Sequence, residues 1–177
     1  MLPLVLLAAA ATTSVTVVRP FDHGAPRAGL HVTETHRGTC VGGSDATDRF
    51  DAWRCGFGNV IVDPCFGDPS GAARYLLCLR APWSTRAIRL QVTGHRGPNT
   101  RHHAPSGHPW GLQLRDGDRC GFVQGASATR RGLRLNYDCS SGGLLYGDAR
   151  RGTPWTILRA AGEAGALRRV PIARAWY

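Results

Sequence analysis

The chain contains no lysine, only two glutamates (Glu34 and Glu163) and one methionine, Met1. All 22 basic residues are therefore arginine. Arginine and lysine differ in geometry and hydration, but few binding functions would exclude lysine from a whole chain. Codon usage in a GC-rich genome, which favours Arg, Ala, Gly and Pro, explains the bias more simply. Carboxylates are also scarce. They cluster only as Asp45, Asp48 and Asp51, then Asp63 and Asp68, then Asp116 and Asp118. That is a poor supply for the paired carboxylates of glycoside hydrolysis. Asp116 reads as a turn residue, and Asp63 before Pro64 reads as fixing a turn.

Other absences narrow the chemistry further. No cysteine pair has the C-x-x-C spacing of a zinc ribbon or a thioredoxin-like site. No Gly-x-Ser-x-Gly elbow is present. Ser140-Ser141-Gly142-Gly143 after Cys139 faintly resembles the serine segment of a chymotrypsin-like protease. It lacks that segment's Asp before Ser, and no histidine sits in a matching context. No nucleic-acid motif occurs. Beyond the first eleven residues, no stretch is apolar enough to cross a bilayer.

What is present begins with Leu2-Pro3-Leu4-Val5-Leu6-Leu7-Ala8-Ala9-Ala10-Ala11. This apolar run has the length of a signal-peptide core, and Ala9-Ala10-Ala11 fits small-x-small cleavage with Thr12 as the mature start. No basic residue precedes it, although export signals carry one there. No cysteine follows closely enough for lipoprotein anchoring. The reading is residues 1–11 as signal peptide, 12–38 as a flexible lead-in rich in Pro and Gly, and 39–177 as one β-domain. The expected location is secreted or on the exterior of the cell envelope. The net charge of +10 favours anionic partners without selecting among them.

Six cysteines, Cys40, Cys55, Cys65, Cys78, Cys120 and Cys139, form an even set in a chain of 177 residues. In an oxidising compartment such a set closes into bridges. Six cysteines allow fifteen pairings. Nearest neighbours are favoured, and the pairing of the first four stays open.

Residues 59–63, 74–79, 87–93, 143–147, 154–160 and 168–176 read as short strands, and 94–109 as a loop. A short helical turn is expected within 45–53. Trp110, Leu112 and Leu114 alternate with smaller or polar neighbours, as do Cys120, Phe122 and Gln124. Leu133, Leu135, Tyr137 and Cys139 repeat the pattern. Period two with one polar face marks half-buried antiparallel strands. Parity then sets the register. A loop of Arg115-Asp116-Gly117, with Gly117 in the left-handed position, places Leu112 opposite Cys120 and Trp110 opposite Phe122. Setting Cys120 opposite Cys139 sets Phe122 opposite Tyr137, so a Cys120–Cys139 bridge follows from the pattern. The expected fold is all-β, a small antiparallel meander forming a sandwich or partly open barrel stapled by disulfides.

One resemblance adds to this reading. Gly38-Thr39-Cys40, Asp51-Ala52-Trp53-Arg54-Cys55, the segment from Gly58 through Asp63-Pro64-Cys65-Phe66, and Leu77-Cys78 follow in order. Trp110-Gly111-Leu112-Gln113-Leu114, Arg119-Cys120, Gly132 through Cys139, Leu145-Tyr146-Gly147-Asp148, Pro154-Trp155-Thr156-Ile157 and Ala173 through Tyr177 continue it. In these segments the chain resembles a family of small exported actinobacterial proteins of mycobacterial type. It departs from them at Val41, where an aromatic is common. The resemblance implies export, a high-GC source and structural cysteines, and it carries over no activity and no catalytic residue.

Candidate site residues remain. Arg130, Arg131, Arg150, Arg151, Arg168 and Arg169 form three pairs at expected turns, where they would make a basic rim holding phosphate or carboxylate groups. His95, His102, His103 and His108 share one loop and are weak metal candidates, because no Asp or Glu lies inside it. Trp53, Trp83, Trp110, Trp155 and Trp176 could build a sugar-stacking face, but those in strands more often fill a core. No cofactor is expected. The reading is a secreted, non-enzymatic binding or interaction module whose partner is an anionic envelope polymer or another exported protein. The alternative is a secreted hydrolase whose site is not visible in sequence. Nucleic acid is disfavoured as a partner, since export removes it.

Overall fold

A computed structural model describes residues 12–94, 96–99, 107–125 and 127–177. The expected leader, His95, His102 and His103 lie outside the described residues. Within them the chain is all-β and contains no helix. Its strands are β1 (Ser14–Thr16), β2 (Phe21–Asp22), β3 (Ala25–Pro26), β4 (His31–Gly43), β5 (Ala52–Phe57), β6 (Val60–Phe66), β7 (Leu76–Cys78) and β8 (Arg86–Val92). They continue as β9 (Gly111–Leu114), β10 (Arg119–Phe122), β11 (Thr129–Arg130), β12 (Leu133–Cys139), β13 (Gly143–Arg150), β14 (Thr156–Ala161) and β15 (Arg168–Trp176).

These strands make two closed barrels. The first runs β4 to β8 in chain order and closes through parallel pairing of β4 with β8. The second uses β9, β10, β12, β13, β14 and β15, and closes through antiparallel pairing of β15 with β9. Strand β1 adds in parallel beside β15, and β2 and β3 form a small hairpin. The expected antiparallel meander is thus present as two strand rings, each closed on itself, with β1 and the β2–β3 hairpin outside the rings.

Period-two patterning gives each barrel its own interior. Leu76, Ile88 and Leu90 pack with Cys40, Cys55, Cys65 and Cys78 in the first. Leu112, Leu114, Tyr137, Leu145, Ile157 and Ile172 pack with Cys120 and Cys139 in the second. A third cluster joins the barrels, with Phe66, Leu77, Leu79 and Ala87 on one side and Trp110 and Trp176 on the other. Val18, Phe21 and Leu30 complete it from the N-terminal segment. Each fully buried large apolar side chain contributes roughly 1.5–3 kcal/mol, so this interface holds the barrels as one body. The first barrel begins at His31, ahead of the expected boundary at residue 39, because residues 31–38 carry all of the β4–β8 pairing.

The register argued from parity is the one observed. Cys120 pairs with Leu112 and with Cys139, and Phe122 pairs with Tyr137. The Phe122 amide donates to the Trp110 carbonyl, and Gly117 has φ +91°. The Phe122 and Tyr137 rings meet edge-on at 5.6 Å. All three bridges join nearest neighbours: Cys40–Cys55, Cys65–Cys78 and Cys120–Cys139. Each links residues directly opposite across an antiparallel strand pair.

Two expectations differ from what is observed. Residues 12–38, read as a flexible lead-in, contribute β1, β2, β3 and the first part of β4. The Thr13 hydroxyl donates to the Ile172 carbonyl at 2.7 Å and accepts from the Trp155 amide at 2.9 Å, tying this segment to the second barrel. The helical turn expected within 45–53 is an irregular loop. Ser44 Oγ accepts from the Ala46 and Thr47 amides at 3.0 and 3.2 Å, and Asp63 accepts from the Asp45 amide at 2.8 Å. These side-chain bonds hold a turn that does not propagate into a helix.

Candidate binding cleft between the barrels

A cavity of about 750 Å³ opens where the N-terminal segment crosses the junction of the barrels. Val15, Val17 and Phe21 form one wall, Phe50 and Pro69 of the first barrel another, and Trp155 and Tyr177 of the second barrel a third. Val15, Val17 and Phe50 are 53%, 51% and 45% exposed, a high value for apolar side chains that share one concave surface. The wall stands because the chain ends strap each other. The Val18 amide donates to the Tyr177 carbonyl at 2.7 Å, and the Tyr177 amide to the Thr16 carbonyl at 2.9 Å.

The floor is ionic. Arg49 donates from Nε and Nη2 to both oxygens of Asp51, at 2.8 and 2.5 Å. Its Nη1 donates to the carbonyl of Val18, and the guanidinium lies 4.8 Å above the Phe66 ring. Asp51 is only 4% exposed. On the second barrel Arg151 lies over Trp155 at 5.2 Å and donates to the Tyr177 hydroxyl at 3.1 Å. Burial raises the Tyr177 hydroxyl above the usual tyrosine value, against the nearby Arg151 charge. At the rim Asp68 accepts from the Ser70 hydroxyl at 2.6 Å and from the Ser70 and Ala73 amides. Those bonds, the hydroxyl first, hold its carboxyl below the ordinary value. Arg19 also lines the cleft and is exposed.

The other chemically interesting clusters are structural in their contacts. Asp118 accepts from the Ser140 and Ser141 hydroxyls at 2.7 and 2.5 Å and from Arg159 at 2.8 Å. Burial would raise its carboxyl, but those donors outweigh burial and keep it low. A low carboxyl is a weak base for activating Ser141. Asp118, Cys120 and Cys139 have potential ligand atoms within 4.8 Å of one another. The two sulfurs are bonded to each other, so no thiolate is left to hold a metal. Asp63 is different: burial raises its carboxyl to about 6, against donation from the Ser44 hydroxyl and Asp45 amide. It borders a groove of about 350 Å³ that Glu34 also lines.

The six arginines expected as a rim do not form one row. Arg150 pairs with Thr156 at one end of β13, while Arg168 pairs with Arg159, which itself sits opposite Leu145. Arg131 occupies the turn before β12 with φ +50°. Arg130 donates to the Ala164 carbonyl at 3.3 Å, and Arg169 to the Thr156 hydroxyl at 3.2 Å. Arg151 alone of the six lines the cleft. His108, the described member of the histidine set, stacks on Phe122 at 4.0 Å with Nδ1 4.0 Å from an Asp48 oxygen. Three of the tryptophans, Trp83, Trp110 and Trp176, pack in the cluster between the barrels, and the other two lie elsewhere. Trp155 lines the cleft, Trp110 packs on Phe66, Trp83 packs on Trp176 and Trp53 lies under Arg96.

Sequence reasoning missed the cleft because Val17, Phe50 and Tyr177 come from three distant segments. The available signal was the apolar Val15-Thr16-Val17-Val18 run inside a segment read as a tether. No family model matches the chain, and no curated protein or solved structure matches it.

Proposed function

We propose that the protein is an exported binding module, acting at the cell envelope or outside the cell, with its ligand held in the cleft between the barrels. The observation that carries this reading is the cluster of half-exposed apolar side chains, Val15, Val17 and Phe50, in a cavity of ligand size. The chemistry suits an amphipathic ligand. Its apolar body would lie on the valine–phenylalanine walls and its polar end near Arg19. Three disulfides fit an oxidising compartment. No helix among the described residues is long and apolar enough to cross a membrane. The resemblance to exported actinobacterial proteins supports the same location. Leader removal after Ala11 would leave Thr12 just before Thr13, whose hydroxyl is tied to Ile172 and Trp155.

The test uses an amphipathic fluorescent probe, anilinonaphthalene sulfonate. The folded protein should enhance its fluorescence saturably. Phe50→Ser should abolish the enhancement while lowering the melting temperature by no more than about 4 °C. Equal enhancement by both proteins would place the ligand elsewhere.

A hydrolase is the second reading, favoured by the raised carboxyl of Asp63 beside its own groove. A broad ester, peptide and glycoside screen separates the two. Turnover that disappears in Asp63→Ala or Ser141→Ala would establish the hydrolase and remove the binding module.

A further inference from the structure

The closure of the second barrel builds a surface that no stretch of sequence displays. Gln113 on β9 pairs with Arg119 on one side and with Arg174 on the other. Arg174 pairs in turn with Ser14 of β1. Leu112, Leu114, Cys120 and Ala175 point into the barrel, so alternation sends Gln113, Arg119 and Arg174 to its outer face. The two arginines thus stand on one row, two strand spacings or about 10 Å apart, with an amide between them.

Aromatic rings hold both guanidiniums. Arg119 lies 5.7 Å from the Trp83 ring, and Arg174 lies 5.7 Å from the Trp176 ring. The two indoles pack on each other at 5.2 Å. The result is a chain of contacts from guanidinium to indole to indole to guanidinium across the barrel junction, with the two indoles tilted at 59°. Gly111 makes room for it, because a Cβ there would come within 2.6 Å of Pro82 and 3.0 Å of Trp83. Stacking restricts the arginine rotamers before any ligand arrives, which lowers the entropy lost on binding.

The charge of this row is uncompensated. Arg119 and Arg174 are exposed, and neither forms an ion pair among the described residues. Arg174 donates only weakly, to the Ser14 hydroxyl at 3.3 Å. The Gln113 side chain makes no hydrogen bond among the described residues. Asp138 is the nearest carboxylate by register. It faces Gly121 from β12, on the far side of Arg119 from Gln113. Arg130 and Arg169 of the expected rim are already donating to protein acceptors.

We propose that Arg119, Gln113 and Arg174 form the binding site for a linear polyanion, whose successive oxyanions bridge the two guanidiniums. The site rests on the reading of the protein as a binding module and assigns the chemistry of one partner. Each guanidinium takes a phosphate or carboxylate oxygen pair through parallel N–H donors. The Gln113 amide donates to an oxygen between them. A polymer is favoured over a single small anion because the two arginines stand two strand spacings, about 10 Å, apart, too far for one small anion to bridge.

The test measures binding of the full chain to immobilised long-chain polyphosphate and, separately, to polygalacturonate, across a salt series. Wild type should bind at least one, with affinity falling steeply as salt rises. Binding to polyphosphate alone identifies phosphate as the anion, binding to polygalacturonate alone identifies carboxylate, and binding to both shows oxyanion recognition without further choice. The Arg119→Gln/Arg174→Gln variant should bind roughly tenfold or more weakly. Gln113→Glu, which leaves both stacks intact, should lose a similar factor at an unchanged melting temperature. A fourfold Arg130, Arg131, Arg168 and Arg169→Gln variant removes more charge and should lose less. The proposal is overturned if that fourfold variant loses binding while the Arg119/Arg174 variant keeps it. Failure of wild type to bind either polymer at low salt also overturns it. In that case saturable binding of the amphipathic probe in the cleft leaves the binding-module reading standing, and its absence removes that reading too.

Discussion

The guanidinium of Arg49 lies side-on to the carboxylate of Asp51, two residues away, with both oxygens engaged at 2.8 and 2.5 Å. The same guanidinium reaches the Val18 carbonyl and lies over Phe66. One pair therefore links the N-terminal segment, the first barrel and the interface core. Removing one partner strands a charge in a site that excludes most water. Asp51→Ala should cost about 3 kcal/mol or more, read as a loss of denaturation midpoint. Phe50→Ser next to it, on an open wall, should cost under about 1 kcal/mol. Equal costs would show that the ion pair does not hold the junction.

Asp63 sets an unusual pH response. Its folded value of about 6 lies above the ordinary 3.8, so the folded state binds the proton more tightly than the unfolded state. The stabilisation is complete below about pH 4 and is lost as pH rises through about 6. Allowing for partial exposure, the loss should be about 2 kcal/mol. Asp68 and Asp118 have lowered values, so their contributions are present at neutral pH and fail in acid below about pH 4. Denaturation between pH 4.5 and 7 isolates Asp63. Asp63→Asn should flatten the curve there, and an unchanged slope would assign the effect to another group.

Two glycines test the packing account. A Cβ at Gly38 would fall 2.2 Å from the Gly56 carbonyl oxygen, where β4 meets β5. Backbone cannot move aside cheaply, so Gly38→Ala should cost about 2 kcal/mol or more. A Cβ at Gly121 meets nothing within 4 Å. Gly121→Ala should stay within about 0.5 kcal/mol of wild type or gain slightly. Thermal melts of both variants check the contrast.

The Cys120–Cys139 bridge closes a chain separation of 19 residues. Replacing both with serine should cost about 3 kcal/mol. The loss should appear chiefly as a lower denaturation midpoint, with the polyanion row still intact in the folded fraction. Loss of polymer binding in the folded fraction would instead mean that the bridge holds Arg119 in place.

The second barrel was the legible half, because Leu112, Cys120, Tyr137 and Cys139 alternate cleanly against small or polar neighbours. Parity alone then decided the loop length and one bridge. The long strand β4 was missed for the opposite reason. Thr33, Thr35 and Arg37 face solvent on one side, while Glu34 and the half-buried His36 occupy the other, so no apolar face shows. His36 is partly covered by stacking on Phe57 at 4.0 Å, a partner remote in sequence. Strand β1 has three residues and rests on backbone pairing with β15. Local pattern also cannot reveal closures such as β4 with β8 or β9 with β15. The division into two barrels, the cleft and the Arg119–Arg174 row all follow from those closures. The expected rim was read from adjacency in sequence alone. Arg168 and Arg169 are adjacent in sequence, but strand register sets them opposite different residues, Arg159 and Leu158, while Arg150 pairs with Thr156.

The central claim is a pair of barrels clamped by three nearest-neighbour bridges and delivered outside the cytoplasm. A non-reducing peptide map of the native protein recovered from culture medium, alkylated before digestion, tests it most directly. The account predicts no alkylated cysteine, linked peptides for Cys40–Cys55, Cys65–Cys78 and Cys120–Cys139, and a chain starting at Thr12. Alkylated thiols at these positions, or links that join one barrel to the other, would contradict it.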